Sequence, residues 1–180
     1  MPRGSLLSRY VRGARLLHWL MALLVLLAYV LITNRGHFER GSLERQWVTL
    51  SHFWVGLLVL VLVLPRLWIR RRHPVPPITP PLAKSLELVG QLTHYALYAF
   101  LLAQPLLGLF TVWLTIGEVK IPSSDLALPS PFAVNREVAL SLKGLHVWLG
   151  NAFYWVIGLH VLAALWHHLI RRDDTLRRML

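Results

Sequence analysis

Four long apolar stretches alternate with shorter polar ones along the chain, near residues 16–33, 47–69, 88–116 and 138–170. A helix crosses the hydrocarbon core with about 20 mostly apolar residues, so each stretch predicts a transmembrane helix. The last two are longer than needed and predict tilt or projection beyond the bilayer. Pro105 and Gly108 predict a kink in the third. Residues 73–81 read His-Pro-Val-Pro-Pro-Ile-Thr-Pro-Pro and exclude helix interior, because proline lacks the donor and fixes φ. Pro122, Pro129 and Pro131 do the same before the fourth span. The first span has a basic flank like a secretory signal, but Leu-Ile-Thr-Asn-Arg at 31–35 offers no small-residue cleavage site, so a retained helix is expected. There is no internal repeat. The expectation is an all-α, integral membrane four-helix bundle, with residues 1–180 as one domain.

Composition agrees with a membrane protein. The chain is 56% apolar and only 15% charged, against about 25% charged for a soluble domain. Its net charge of +11 would by itself suggest a nucleic-acid partner. The bases, however, flank the spans. Arg3, Arg9, Arg12 and Arg15 precede the first, and Arg66, Arg70, Arg71, Arg72 and Lys84 join the second to the third. Arg171, Arg172, Arg177 and Arg178 follow the fourth, which places 13 of the 19 Lys and Arg on one side. The positive-inside rule then puts both termini in the cytoplasm. No nucleic-acid motif accompanies these charges, so lipid, not nucleic acid, is the expected contact. The tryptophans fall mostly toward span ends, as in an interfacial belt.

The chain has no cysteine. That excludes disulfides, thiolate zinc, iron–sulfur clusters and covalent c-type haem. Any metal must then be held by histidine, carboxylate or methionine, and histidine, with nine copies, is the obvious candidate. His37 and His73 lie in connectors and are expected at the surface. His18, His52, His94, His146, His160, His167 and His168 lie in or at the ends of spans, where an ionisable residue is a functional hypothesis.

His146 and His160 are 14 residues apart. At about 100° and 1.5 Å per residue they share one helix face and stand about 21 Å apart along the axis. That is too long for one metal centre and suits two stacked across a membrane. By topology His18 lies at the depth of His160, on the inner side, and His52 at the depth of His146, on the outer side. Each pair comes from different helices, as needed to clamp a macrocycle between two axial nitrogens, and bis-histidine b-type haem fits best. His94 enters the third span at a depth similar to His18. It competes as inner ligand, or it hydrogen-bonds a propionate or lines a pocket. His167, seven residues after His160, falls on the same face about 10 Å nearer the cytoplasm. It is placed to serve a quinone, or it is an interfacial histidine near phosphates.

The motifs resemble those of the bacterial cytochrome b561 family, in particular its superoxide:ubiquinone oxidoreductase type. They are Leu-His-Trp at 17–19, Ser-His at 51–52, Arg66 with the proline connector at 74–81, Ser-Leu-Lys-Gly-Leu-His at 141–146, Gly-Leu-His at 158–160, His-His at 167–168 and Asp-Thr-Leu-Arg-Arg-Met at 174–179. The resemblance covers essentially the whole chain. It implies that His18, His52, His146 and His160 ligate two b haems, that electrons pass to or from quinone, and that the protein sits in the bacterial inner membrane.

Superoxide oxidation outside and ubiquinone reduction in the membrane is the leading expectation. Superoxide is an anion, and a cationic entrance raises its on-rate. Lys143, one helical turn before His146, is the suggested attractor; the other readings are a propionate partner or a snorkelling side chain. The outer connectors carry Arg35, Arg40, Arg45, Lys120, Arg136 and Lys143, but also Glu39, Glu44, Glu118, Asp125 and Glu137. Any attraction there must be local. Arg15, Arg66 and Arg171 are by default flank charges, with propionate contact the alternative. A different class of function is an anchor subunit relaying electrons between quinone and a separate periplasmic or cytoplasmic redox partner.

Overall fold

A computed structural model describes residues 9–121, 124 and 126–180; Arg3, Pro122 and Asp125 lie outside the described residues. Four helices are long and apolar enough to cross a membrane. They are α1 (Arg12–Asn34), α2 (Leu43–Arg72), α3 (Lys84–Ile116) and α4 (Arg136–Trp166). A five-residue π turn, His167–Arg171, continues α4. The first three expected spans sit inside these helices, and the fourth runs through α4 into the π turn. Capping explains two of the starts. Ser42 accepts from the Arg45 N–H at 3.2 Å, and Asn135 Oδ1 accepts from the Val138 N–H at 3.2 Å. Gly117, at φ 81°, ends α3 with its N–H on the Trp113 carbonyl, a left-handed backbone that glycine adopts without cost. Pro105 lies within α3, which stays one helix through it, and Pro65 likewise within α2.

α1 packs closely on α2, α3 on α4, and α2 on α3, whereas α1 and α4 stay farther apart. Met21, Leu24, Val59 and Val63 form the tightest core, with Tyr98, Leu101 and Leu102 packed against it. Phe100 and Phe153 stack with ring centroids 4.1 Å apart. Most other large apolar side chains face outward, among them Leu16, Leu23, Val61, Leu159 and Leu162. In water that surface would be a liability; in lipid it is the solvent-facing side. Trp19, Trp47, Trp68, Trp148, Trp155 and Trp166 are exposed as well, as a belt requires. His37 and His73 are exposed, as expected for connector residues.

A hairpin the hydrophobic pattern did not predict closes the end opposite the termini. β1 (Glu118–Lys120) pairs antiparallel with β2 (Ala127–Pro129), Val119 opposite Leu128. Val119 is buried, and the Trp54 indole N–H donates to the Lys120 carbonyl at 3.1 Å.

At the other end the start of the described chain meets the C-terminal tail. The Tyr10 N–H donates to the Arg178 carbonyl at 3.1 Å, and Trp19 Nε1–H to the Met179 carbonyl at 2.8 Å. Asp174 accepts from the Thr79 N–H at 2.9 Å. Arg178 is buried, donates to the Pro76 carbonyl, pairs with Asp174 at 3.7 Å and lies over the Tyr10 ring. The C-terminal tail thus ties α1 to the proline connector. Arg178→Ala should leave the buried Pro76 carbonyl without its donor, costing about 2 kcal/mol, and a thermal melt in detergent should fall by several degrees.

Candidate functional site

The expected histidines gather into two groups at opposite ends of the bundle interior. In the first, His52 on α2 and His146 on α4 face each other, with ring centroids 6.2 Å apart and ring planes at 90°. Each ring is held through Nδ1. His52 Nδ1 donates to the Ala28 carbonyl on α1 at 2.8 Å, and His146 Nδ1 to the Gln104 carbonyl on α3 at 3.0 Å. That leaves both Nε2 lone pairs free. A neutral imidazole anchored this way is the arrangement by which second partners orient metal-ligating histidines. A metal–imidazole bond is about 2.0 Å. Two bonds in line, plus the setback of each nitrogen from its ring centre, put the centroids about 6 Å apart, close to the spacing seen.

The surroundings fit a flat apolar group. A cavity of about 290 Å³ includes both rings, with Val25, Val59, Phe100, Pro105 and Gly150 among its walls. Two glycines pack closely here. A Cβ on Gly108 would come into contact with His146 Cε1 at 3.4 Å, and one on Gly150 would press on Gln104 Nε2 at 3.0 Å. Gln104 also donates from Nε2 to the His146 carbonyl at 2.9 Å, so α3 grips this histidine twice. Gln104 and its backbone partners carried no sequence signal: a lone glutamine in an apolar span marks a polar contact without naming its partner. Tyr29 braces the opposite wall, its hydroxyl on the Gly150 carbonyl at 2.8 Å and its ring 4.4 Å from that of Tyr154.

The second group contains three histidines. His18 and His160 lie 6.4 Å apart between centroids, close to the spacing of the first pair, and His94 and His160 lie 5.7 Å apart. His18 also stands against Trp19, edge to face at 5.2 Å. Arg66 Nη2 donates to His18 Nδ1 at 3.1 Å, and Nη1 to the Ala14 carbonyl at 3.3 Å. In that contact Nδ1 is an acceptor, so the ring proton sits on Nε2. Ligation through Nε2 requires the other tautomer and therefore release of His18 by Arg66. The outer pair fits a bis-histidine centre as it stands; the inner pair fits once that guanidinium turns away.

Each of the three arginines read by default as flank charge also has a defined partner. Arg66 holds His18 and lies 5.7 Å from the Tyr98 ring centre. Arg15 donates to the Leu180 carbonyl. Arg171 donates to the Pro81 carbonyl at 2.9 Å and pairs with Asp173 at 3.0 Å. Lys143 is exposed on α4, with no ion pair among the described residues.

His167 begins the π turn beyond His160, half-buried, with Trp166 edge-on at 5.0 Å. His168 beside it is half-buried too. The neighbour that sequence reasoning missed is Asp173, 2% exposed, whose Oδ2 lies 2.5 Å from His167 Nδ1.

Residues 9–180 match the family model described as prokaryotic cytochrome b561. The chain is 35% identical over 170 residues to a protein named probable superoxide oxidase CybB from Yersinia pestis, covering 91% of each. It is 33% identical over 175 residues to cytochrome b561 homolog 1 of Escherichia coli K12, covering 97% of this chain and 98% of that one. Cytochrome b561 homolog 2 of the same organism is 30% identical over 187 residues, covering 96% and 92%.

Proposed function

The chain belongs to the prokaryotic cytochrome b561 family of membrane electron-transfer proteins, and from that premise we propose that it oxidises superoxide at the outer face and reduces ubiquinone in the membrane. The observation that carries the reading is the paired geometry: one histidine pair at each end, the outer one anchored for ligation without rearrangement. The similarity to a probable superoxide oxidase supports the choice of substrate. The bias of Lys and Arg supports the orientation, with the termini and the inner group toward the cytoplasm of a bacterial inner membrane.

His52 and His146 would hold the outer b haem, and His18 with His160 the inner one. Bound there, haem supplies a one-electron carrier at each depth. The protein's own residues do the rest. Ala28 and Gln104 carbonyls fix the outer rings as neutral ligands. Lys143, one turn outward from His146, raises the local concentration of superoxide, whose electron leaves as the anion becomes dioxygen. Two such electrons, with two protons, convert one quinone to quinol at the inner end. His167 would serve that site by hydrogen bonding or proton delivery.

The test is a stopped-flow experiment on the purified, haem-containing protein. A superoxide pulse should reduce the haem, and added ubiquinone should then reoxidise it. No reduction above that given by superoxide pre-treated with a dismutase would sink the superoxide reading. If a co-purified subunit then restored reduction, the chain would be an anchor relaying electrons for that partner.

A further inference from the structure

We propose that Asp173 is a positioning residue for quinone reduction: it holds His167 through Nδ1, so that Nε2 is the atom presented to the quinone oxygen. The inference rests on the reading of His167 as the quinone-side residue. It adds the group that makes that histidine competent.

Four observations build the pair. His167 Nδ1 and Asp173 Oδ2 are in direct contact, 2.5 Å apart, and an imidazole N–H facing a carboxylate makes a charge-assisted hydrogen bond. Asp173 is itself fixed by two further partners. Arg171 Nε lies 3.0 Å from the same oxygen, and the Thr175 N–H donates to Oδ1 at 2.9 Å; Thr175 Oγ1 also stands 3.4 Å from His167 Nδ1. The backbone is bent to make the contact. The π turn ends at Arg172, which sits at φ 57° and ψ 32°, and the Asp173 N–H returns to the His167 carbonyl at 3.1 Å. A left-handed non-glycine residue costs about 1 kcal/mol, and π turns gather at functional sites. Finally, the carboxylate is closed off from solvent while the histidine ring keeps an open side: the side chains are 0% and 14% exposed. Burial alone would push the Asp173 carboxyl up, but hydrogen bonds from His167 and Thr175 bring it below the ordinary carboxylate range. It is therefore an acceptor, and His167 Nδ1 the donor.

The chemistry balances as follows. Quinone takes two electrons, supplied by two superoxide anions that leave as dioxygen, and two protons. When His167 is an imidazolium, its Nδ1–H stays on Asp173 and Nε2 gives its proton to a quinone oxygen, leaving a neutral ring. That ring takes a proton from cytoplasmic water and can deliver the second. Asp173 is unchanged throughout; it stabilises the cationic ring and prevents it from rotating to offer Nδ1 instead.

The test uses the full haem-containing chain in lipid nanodiscs with a short-chain ubiquinone. Asp173→Asn should lower the saturating rate of quinone-dependent haem reoxidation at least tenfold, leave the half-saturating quinone concentration within twofold, and leave reduction by superoxide unchanged. Asp173→Glu should recover most of that rate, which a purely structural role in the turn would not predict. Nitrogen-15 spectra of labelled histidine, assigned by loss of signal in His167→Ala, should show Nδ1 of His167 protonated and Nε2 bare in the wild-type resting state. They need no quinone and no soluble Asp173 variant.

A wild-type saturating rate in Asp173→Asn, or a bare Nδ1 in the wild-type protein, overturns the proposal. If His167→Ala slows reoxidation while Asp173→Asn does not, the quinone reading survives without the aspartate. If neither variant slows it, both readings fall.

Discussion

On the proposed two-haem reading, His146→Ala should reduce bound haem from about two per chain to about one and abolish reduction of the remainder by superoxide, while dithionite still reduces it. The expectation follows from how the outer pair is held. His146 is gripped by α3 through two bonds, from its Nδ1 to the Gln104 carbonyl and from Gln104 Nε2 to its own carbonyl. Removing the imidazole leaves both backbone features in place but no second axial nitrogen opposite His52. A haem held there would then be tied to the chain by His52 alone. Gln104→Ala is the graded control. It deletes only the donor to the His146 carbonyl and leaves the carbonyl that accepts Nδ1–H, so haem should be retained and the melting temperature should drop modestly. A pyridine haemochrome assay against protein concentration reads the ratio. An unchanged ratio in His146→Ala would remove His146 as a ligand.

The fourth helix also shows what a sequence can carry. A spacing of 14 residues puts His146 and His160 on one face because the α-helix is regular between them, and the structure keeps α4 unbroken from Arg136 to Trp166. Apolar length sufficed to find all four helices for the same reason: in lipid the backbone must satisfy itself. What escaped notice depends on chain segments distant in sequence or on local departures from regularity. The Gln104–His146 grip joins positions 42 residues apart. The 118–129 hairpin is two three-residue strands, too short to show alternation. The Asp173–His167 contact exists because α4 widens into a π turn and Arg172 turns left-handed, and no periodicity argument announces either. Arg66 is the instructive middle case. Its position near a span end reads equally well as topology or as function, and only the fold places its guanidinium on His18.

That contact sets the last expectation, a contrast between two neighbouring histidines. His18→Ala should lose the inner haem, whereas His94→Ala should keep it with a shifted spectrum. The centroid spacing of His18 to His160, 6.4 Å, is close to the 6.2 Å of the outer pair, and the 5.7 Å of His94 to His160 is shorter than an in-line arrangement wants. His18 also comes from α1, across the interior from α4, whereas His94 comes from α3, which packs directly on α4 and leaves less room for a macrocycle between them. The Arg66 bond to His18 Nδ1 bears on the outcome too. It favours the Nε2–H tautomer, which cannot ligate through Nε2, so ligation by His18 would require the guanidinium to move, and a negatively charged propionate would be the natural group to receive it. Arg66→Leu should therefore have two opposed effects: easier release of His18, and loss of the propionate partner. If the second dominates, the inner haem dissociates faster than in the wild-type protein while the outer haem does not. Reconstitution of each variant with excess haem, followed by quantification and low-temperature spectra, separates the cases. Loss of the inner haem in His94→Ala with retention in His18→Ala would reverse the assignment and make Arg66 a permanent partner of a non-ligating His18.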